Sequence, residues 1–209
     1  QRSLNGAFAF GTNALQYLGL ASSGNVALGD SALRSAVSTS RNVAIGSGSL
    51  ASMSYAGTGY NVAIGGASLY ANETGVQNVA IGYGTLQKAK YSINNVAIGH
   101  SALYNLDGRN PDGNAGGNTA IGAATLSNLT VGYNNTAIGM NAMLYSTTAI
   151  ANVAIGNGAL QNNISGSSNN VIGTSNFTAN TSGGSNVGVG SYVFLGNTMI
   201  SVRKTIILF

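Results

Sequence analysis

Residues 78–103 contain Asn78-Val-Ala-Ile-Gly82-Tyr-Gly-Thr-Leu86 and, one period later, Asn95-Val-Ala-Ile-Gly99-His-Ser-Ala-Leu103. The pentapeptide Asn-Val-Ala-Ile/Leu-Gly also stands at Asn25–Gly29, Asn42–Gly46, Asn61–Gly65 and Asn152–Gly156. With Thr in its second slot it stands at Asn118–Gly122 and Asn135–Gly139, and looser copies close at Gly11, Gly173 and Gly190. Successive closing glycines are 18, 17, 19, 17, 17, 23, 17, 17, 17 and 17 residues apart. Four residues after each comes a large apolar side chain, from Leu15 and Leu33 through Met143 to Phe177 and Phe194. Two anchors locked in phase over eleven copies make the chain a repeat array.

The unit dictates the architecture. Val and Ile at alternate positions suit a short strand, and Gly ends it because Gly enters positive φ without steric cost. The Gly-to-Leu stretch is a second short strand or a bend, and the rest of each unit is rich in the turn formers Asn, Ser and Gly. Seventeen residues are too few for a helical hairpin and suit one coil of a parallel β-solenoid. Eleven coils at ~4.8 Å each give a rod of about 50 Å. The Asn in the first slot is expected to stack coil over coil as an amide ladder. Val and Ile are expected to face the interior, with Ala on the opposite side permitting close approach of another surface.

Composition excludes much else. Only 12 of 209 residues are charged (8 Lys and Arg, 4 Asp and Glu), with one His, no Cys and no Trp. A soluble domain averages about a quarter charged residues. No disulfide or thiolate site can form, and groups for proton transfer or metal binding are scarce. No catalytic, cofactor-binding or metal-binding residue is assigned. The 44% apolar content argues against disorder. Paired Gly-x-Gly segments lack the third glycine and following helix of a phosphate-binding turn. The basic residues Arg34, Arg41, Lys88, Lys90, Arg203 and Lys204 occupy different slots and form no stripe, so no nucleic-acid partner is expected.

The recurring Asn-Val-Ala-Ile-Gly resembles the YadA-type head repeats of trimeric autotransporter adhesins and the same repeat in phage tail-fibre proteins. The resemblance spans Ala7 to about Leu195. It implies an all-β, left-handed parallel β-roll, one coil per repeat, with three rolls sharing an axis as a homotrimer. The repeat here is longer than that of the adhesin heads, which implies larger outer loops.

Residues 1–196 form the array and 197–209 a closing strand or a junction to a following domain. The long interval between Gly99 and Gly122 carries an inserted loop at 106–114 with the only Pro, Pro111. There Asp107, Asp112 and Gly113 loosely resemble the acids and glycine of a calcium loop, but counted from Asp107 they fall at positions 1, 6 and 7 in place of 1, 5 and 6. Arg109 and Asn118 occupy ligand positions, so the segment reads as a solvated turn. The apolar C-terminal residues are too few to span a bilayer, and no membrane insertion is expected.

Tyr70, Tyr83 and Tyr104 fall in variable slots and are the candidate recognition residues, since aromatic faces beside Asn and Ser suit glycans. Packing of these rings between neighbouring loops is the simpler reading. The function expected is a non-enzymatic structural or adhesive fibre segment. It would be extracellular, on a cell surface or virion tail fibre, presenting loops to a cell-surface glycan or protein receptor. A filament assembling end to end is the alternative, and a polysaccharide-cleaving tailspike a minor one, because its carboxylates are dispersed over several repeats. An ice-binding solenoid would need an unbroken Thr rank, whereas Thr takes the second slot only at Thr119 and Thr136.

Overall fold

A computed structural model describes residues 6–19, 22–54, 57–109, 116–193 and 205–207. Within them the chain is an all-β parallel solenoid of about ten turns of roughly 17 residues. Each pentapeptide contributes a three-residue strand, from Phe8–Phe10 and Val26–Leu28 through Val79–Ile81 and Val96–Ile98 to Val187–Val189. These strands stack into one parallel sheet, and Thr205–Ile207 adds a twelfth strand beside Val187–Val189. Register follows the repeat: Val79, Ala80 and Ile81 lie opposite Val96, Ala97 and Ile98. It survives the inserted interval, where Val96, Ala97 and Ile98 lie opposite Thr119, Ala120 and Ile121. Phe194 and residues 110–114 of the expected loop lie outside the described residues.

The two faces of the strand are the reverse of the expectation. The central Ala is fully buried in coil after coil (Ala27, Ala44, Ala63, Ala80, Ala97, Ala120, Ala137, Ala154), whereas the Val and Ile beside it are half-exposed and point outward. The reason is room. The interior of a 17-residue coil already holds the large residue four places after the closing glycine, such as Leu86 or Leu103. It also holds the first-slot Asn and a third residue seven places on, such as Met53, Ala89 or Leu106. What remains suits a small side chain: alanine in most strands, and valine at Val171, also fully buried. Where that side chain is missing, at Gly188, the ring of Phe177 fills the space: a Cβ there would sit 2.3 Å from its Cε2.

Asparagine links the coils. From Asn42 to Asn186 each first-slot Asn donates its Nδ2 to the Oδ1 of the preceding one at 2.7–3.2 Å. The same Oδ1 also accepts the backbone N–H of the next Asn, for example Asn95 N to Asn78 Oδ1 at 3.0 Å. The Nδ2 of many also reaches across the interior, as from Asn78 to the Ser92 carbonyl at 2.8 Å and from Asn135 to the Ala149 carbonyl at 2.8 Å. A buried amide without partners is costly; here both ends are satisfied in every described link from Asn78 to Asn169. The link from Asn95 to Asn118 crosses the inserted interval at 3.1 Å.

After the strand the chain turns through left-handed backbone. The closing glycines have φ near +130° and stack so tightly that a Cβ on Gly99 would lie 2.6 Å from the Gly122 carbonyl oxygen. Four residues on, Leu86 (φ 49°) and Leu103 (φ 52°) adopt the left-handed region that non-glycine residues avoid. That costs roughly 1–2 kcal/mol per residue. Full burial of a leucine contributes about 1.5–3 kcal/mol, so the turn that drives it inward is favourable.

Replacing Asn95 by Ala removes the buried acceptor of both the Asn118 backbone N–H and one Asn118 Nδ2 hydrogen, while the Asn78 Oδ1 keeps the backbone N–H of residue 95 and the Asn118 Nδ2 keeps the Gly132 carbonyl. At about 1–3 kcal/mol for each of the two stranded donors, a loss of about 2–6 kcal/mol is expected. It should appear as a large fall in the thermal midpoint; a melt matching the parent would contradict the ladder's role.

Candidate functional site

Three outward features can act on something outside the coil: the strand face, the tyrosine corner and a cluster of charges beside the insertion. The strand face carries two outward side chains from each of eleven strands, Phe8–Phe10 to Val187–Val189. Of these 22, only Thr119, Thr136 and Asn170 are polar and none is charged. Alternation within each strand and the parallel register align them in two straight ranks.

The first-slot asparagines and the closing glycines (Asn25, Asn42, Asn61, Asn78, Asn95, Asn118, Asn135, Asn152; Gly29, Gly46, Gly65, Gly82, Gly99, Gly122, Gly139, Gly156) stand in the interior and at the coil corner. They build the rod and present no chemistry to solvent.

Tyr70, Tyr83 and Tyr104 do not converge on one site. Each ring lies against a glycine of the preceding coil: Tyr70 over Gly48, Tyr83 over Gly66 and Tyr104 over Gly84, with ring atoms 3.2–3.7 Å from where a Cβ would sit. Tyr83 also stacks on His100, with ring centroids 5.8 Å apart. Lys88 Nζ lies 5.2 Å from the Tyr104 centroid, a cation–π contact. Tyr70 and Tyr83 remain 42% and 62% exposed. The rings therefore clamp adjacent coils while leaving an edge or face to solvent. Tyr60 behaves similarly, its ring under the Arg41 guanidinium at 5.5 Å.

The charge cluster escaped the sequence reading, because slot-by-slot inspection does not show which slots of adjacent coils meet. Lys90 Nζ pairs with Glu73 Oε1 at 3.1 Å, and the Tyr91 hydroxyl donates to Glu73 Oε2 at 3.0 Å. Arg109 donates to the Tyr91 hydroxyl and stacks over its ring, 4.5 Å from the centroid. Three successive coils are thus bridged on the outside. The Lys90 ammonium, then the Tyr91 hydroxyl, hold the Glu73 carboxyl below its ordinary value, and Glu73 in turn holds Lys90 above its own. The separation of the two lysines and Arg109 in sequence conceals that they flank one another once coils stack.

No group of three or more metal-ligating side chains occurs among the described residues. Asp112 and Gly113 of the calcium-loop resemblance lie outside them. Among the described residues no helix is long and apolar enough to cross a membrane.

Tyr91→Phe should raise the Glu73 pKa toward its ordinary value, since it removes one of the two hydrogen bonds that favour the carboxylate. Because the folded carboxyl is depressed, the cluster's contribution is present above the ordinary Glu range and lost as pH falls through the depressed value. Carboxyl-carbon NMR titration of the two proteins reads the shift directly; identical titrations would refute the coupling.

No protein-family model, curated protein or solved structure matches the chain.

Proposed function

We propose that the chain is a segment of a trimeric, non-enzymatic fibre: a left-handed β-roll that associates with two copies of itself and presents its outer corners for attachment. The observation that carries this reading is the strand face. A monomer in water gains nothing from an uncharged double rank, Val, Ile, Leu and Phe at all but three positions, running the length of a rod, and apolar patches of this kind mark association sites. Twenty-two outward residues per copy match the roughly 20–30 residues a side of a stable protein interface. In-register β-branched side chains on each copy interdigitate without needing individual pockets, as between packed sheets. The repeat's likeness to trimeric adhesin heads and phage tail-fibre repeats supports three copies, and an extracellular setting on a cell surface or virion.

A structural or adhesive role also agrees with the state of the carboxylates. Glu73 is engaged by Lys90 and Tyr91, and Asp30 is hydrogen-bonded to Ser31 on a different coil. Asp107 shares Glu73's slot two coils on, but Lys90 stands between them and both carboxylates face the Arg109 guanidinium, so they are engaged as an ion-pair array. Attachment is then to a cell-surface glycan or protein receptor through the corners and loops left outside the trimer.

Ile98→Asp tests the assembly. Its side chain is half-exposed on the strand face, so a single chain should fold with an unchanged β-type circular dichroism spectrum while the mass in solution falls from three times 20.9 kDa to one. Ala97→Asp, one residue away and fully buried, should instead prevent folding. A parent protein that sediments as a monomer at micromolar concentration would sink the proposal.

A further inference from the structure

Beyond each corner the chain runs outward, inward, outward at the sixth, seventh and eighth residues after the closing glycine. The seventh is buried, as at Ala89, Leu106 and Leu129. The sixth and eighth flank it as two parallel ridges, and between them lies a groove along the rod. One cavity of about 860 Å³ is lined by Lys88, Asn105 and Asn128 on one ridge and by Lys90, Asp107 and Thr130 on the other. A second of about 610 Å³ continues it past Asn162 and Ile164. Tyr145 and Thr147 line both, so the two are one continuous groove. From Ala71 to Ala179 it crosses six coil steps, or ~29 Å. It shares no residue with the strand face.

Its chemistry is graded. At one end Lys88, Lys90 and Arg109 stand against Asp107 in the lining and against Glu73, which pairs with Lys90 at 3.1 Å, three cations to two carboxylates. The middle is amide and hydroxyl, and its side chains are fixed in orientation by bonds along the rod. Lys88 Nζ donates to Asn105 Oδ1 at 2.9 Å, Asn105 Nδ2 to Asn128 Oδ1 at 3.3 Å, and Asn128 Nδ2 to the Leu144 carbonyl at 2.9 Å. Each such amide retains a second hydrogen and a second lone pair, which suits ligands whose hydroxyls both donate and accept. Tyr145, 50% exposed, stands where the two cavities join, and the far end beside Ile164 is apolar.

We propose that this groove binds a linear oligosaccharide whose terminal sugar carries a carboxylate. The carboxylate would lie at the Lys88–Lys90–Arg109 end and the apolar face of an inner sugar on the Tyr145 ring. A ring platform with pre-oriented amides is the chemistry of sugar recognition. Single-stranded nucleic acid fits less well, because its charge runs along its whole length while this groove is cationic at one end only. The inference rests on reading the rod as an attachment segment.

The probes are sialyl-lacto-N-tetraose, a linear pentasaccharide with one terminal carboxylated sugar, and the matching asialo tetrasaccharide. Calorimetry on the intact chain should give at least about tenfold tighter binding of the acidic sugar, a preference that shrinks as salt rises. Lys88→Gln with Arg109→Gln should abolish the preference while sparing the neutral sugar. Tyr145→Ala should weaken both sugars, and Arg34→Gln, away from the groove, should change neither. No binding of either sugar at millimolar concentration, loss of preference in Arg34→Gln, or tighter binding of a deoxythymidine octamer would each overturn the inference. Sedimentation of the same samples separates the two proposals: sugar binding by a monomer removes the trimer alone, and a trimer indifferent to the sugars removes the groove alone.

Discussion

The solenoid depends on a buried line of amides. A coil of 17 residues has almost no interior of its own, and its apolar content is one large residue, one or two alanines and a third residue that is often small or polar. Hydrophobic burial of that size cannot hold a coil against the entropy of ordering it. The asparagine ladder supplies what the apolar residues do not. It is directional, fixes register, and satisfies polar atoms from two coils with one side chain. Its cost is that no coil can hold its geometry without a neighbour above and below, which makes the rod cooperative along its length.

Steric tightness follows from the same design. Coils close enough for amide stacking bring the corner glycines into backbone contact, so that a Cβ would meet the next coil's carbonyl. Left-handed turns two and four residues later swing the large side chain inward, as at Leu69 with φ 49°. The strand, the ladder, the glycine column and the leucine turn are one solution to building a core inside a very thin tube.

Much of this was legible in the sequence. The period, the strand, the turn at glycine and the coil-to-coil asparagine all follow from residue types at fixed spacing. The direction of the strand faces did not, because β-branched residues are read as core by habit. The signal was present nonetheless: Asn and Ala stand two residues apart, so a buried amide ladder places Ala, and not Val or Ile, inside. The groove was beyond reach for another reason. Lys88, Lys90 and Arg109 come together only once the stagger between coils is fixed, and the insertion makes Arg109's position in its coil unreadable from period alone.

The interval between Gly99 and Gly122 has a consequence for how such a rod can vary. Six extra residues enter there, yet Asn118 meets Asn95 and Thr119 meets Val96 as if nothing had been added. Register is set by the ladder on one side of the coil, and length is absorbed on another. The tube therefore separates the part of its sequence that encodes the scaffold from the part that can lengthen, so a foreign peptide spliced after Arg109 would be displayed at a defined height on the solenoid without shifting any coil beneath it.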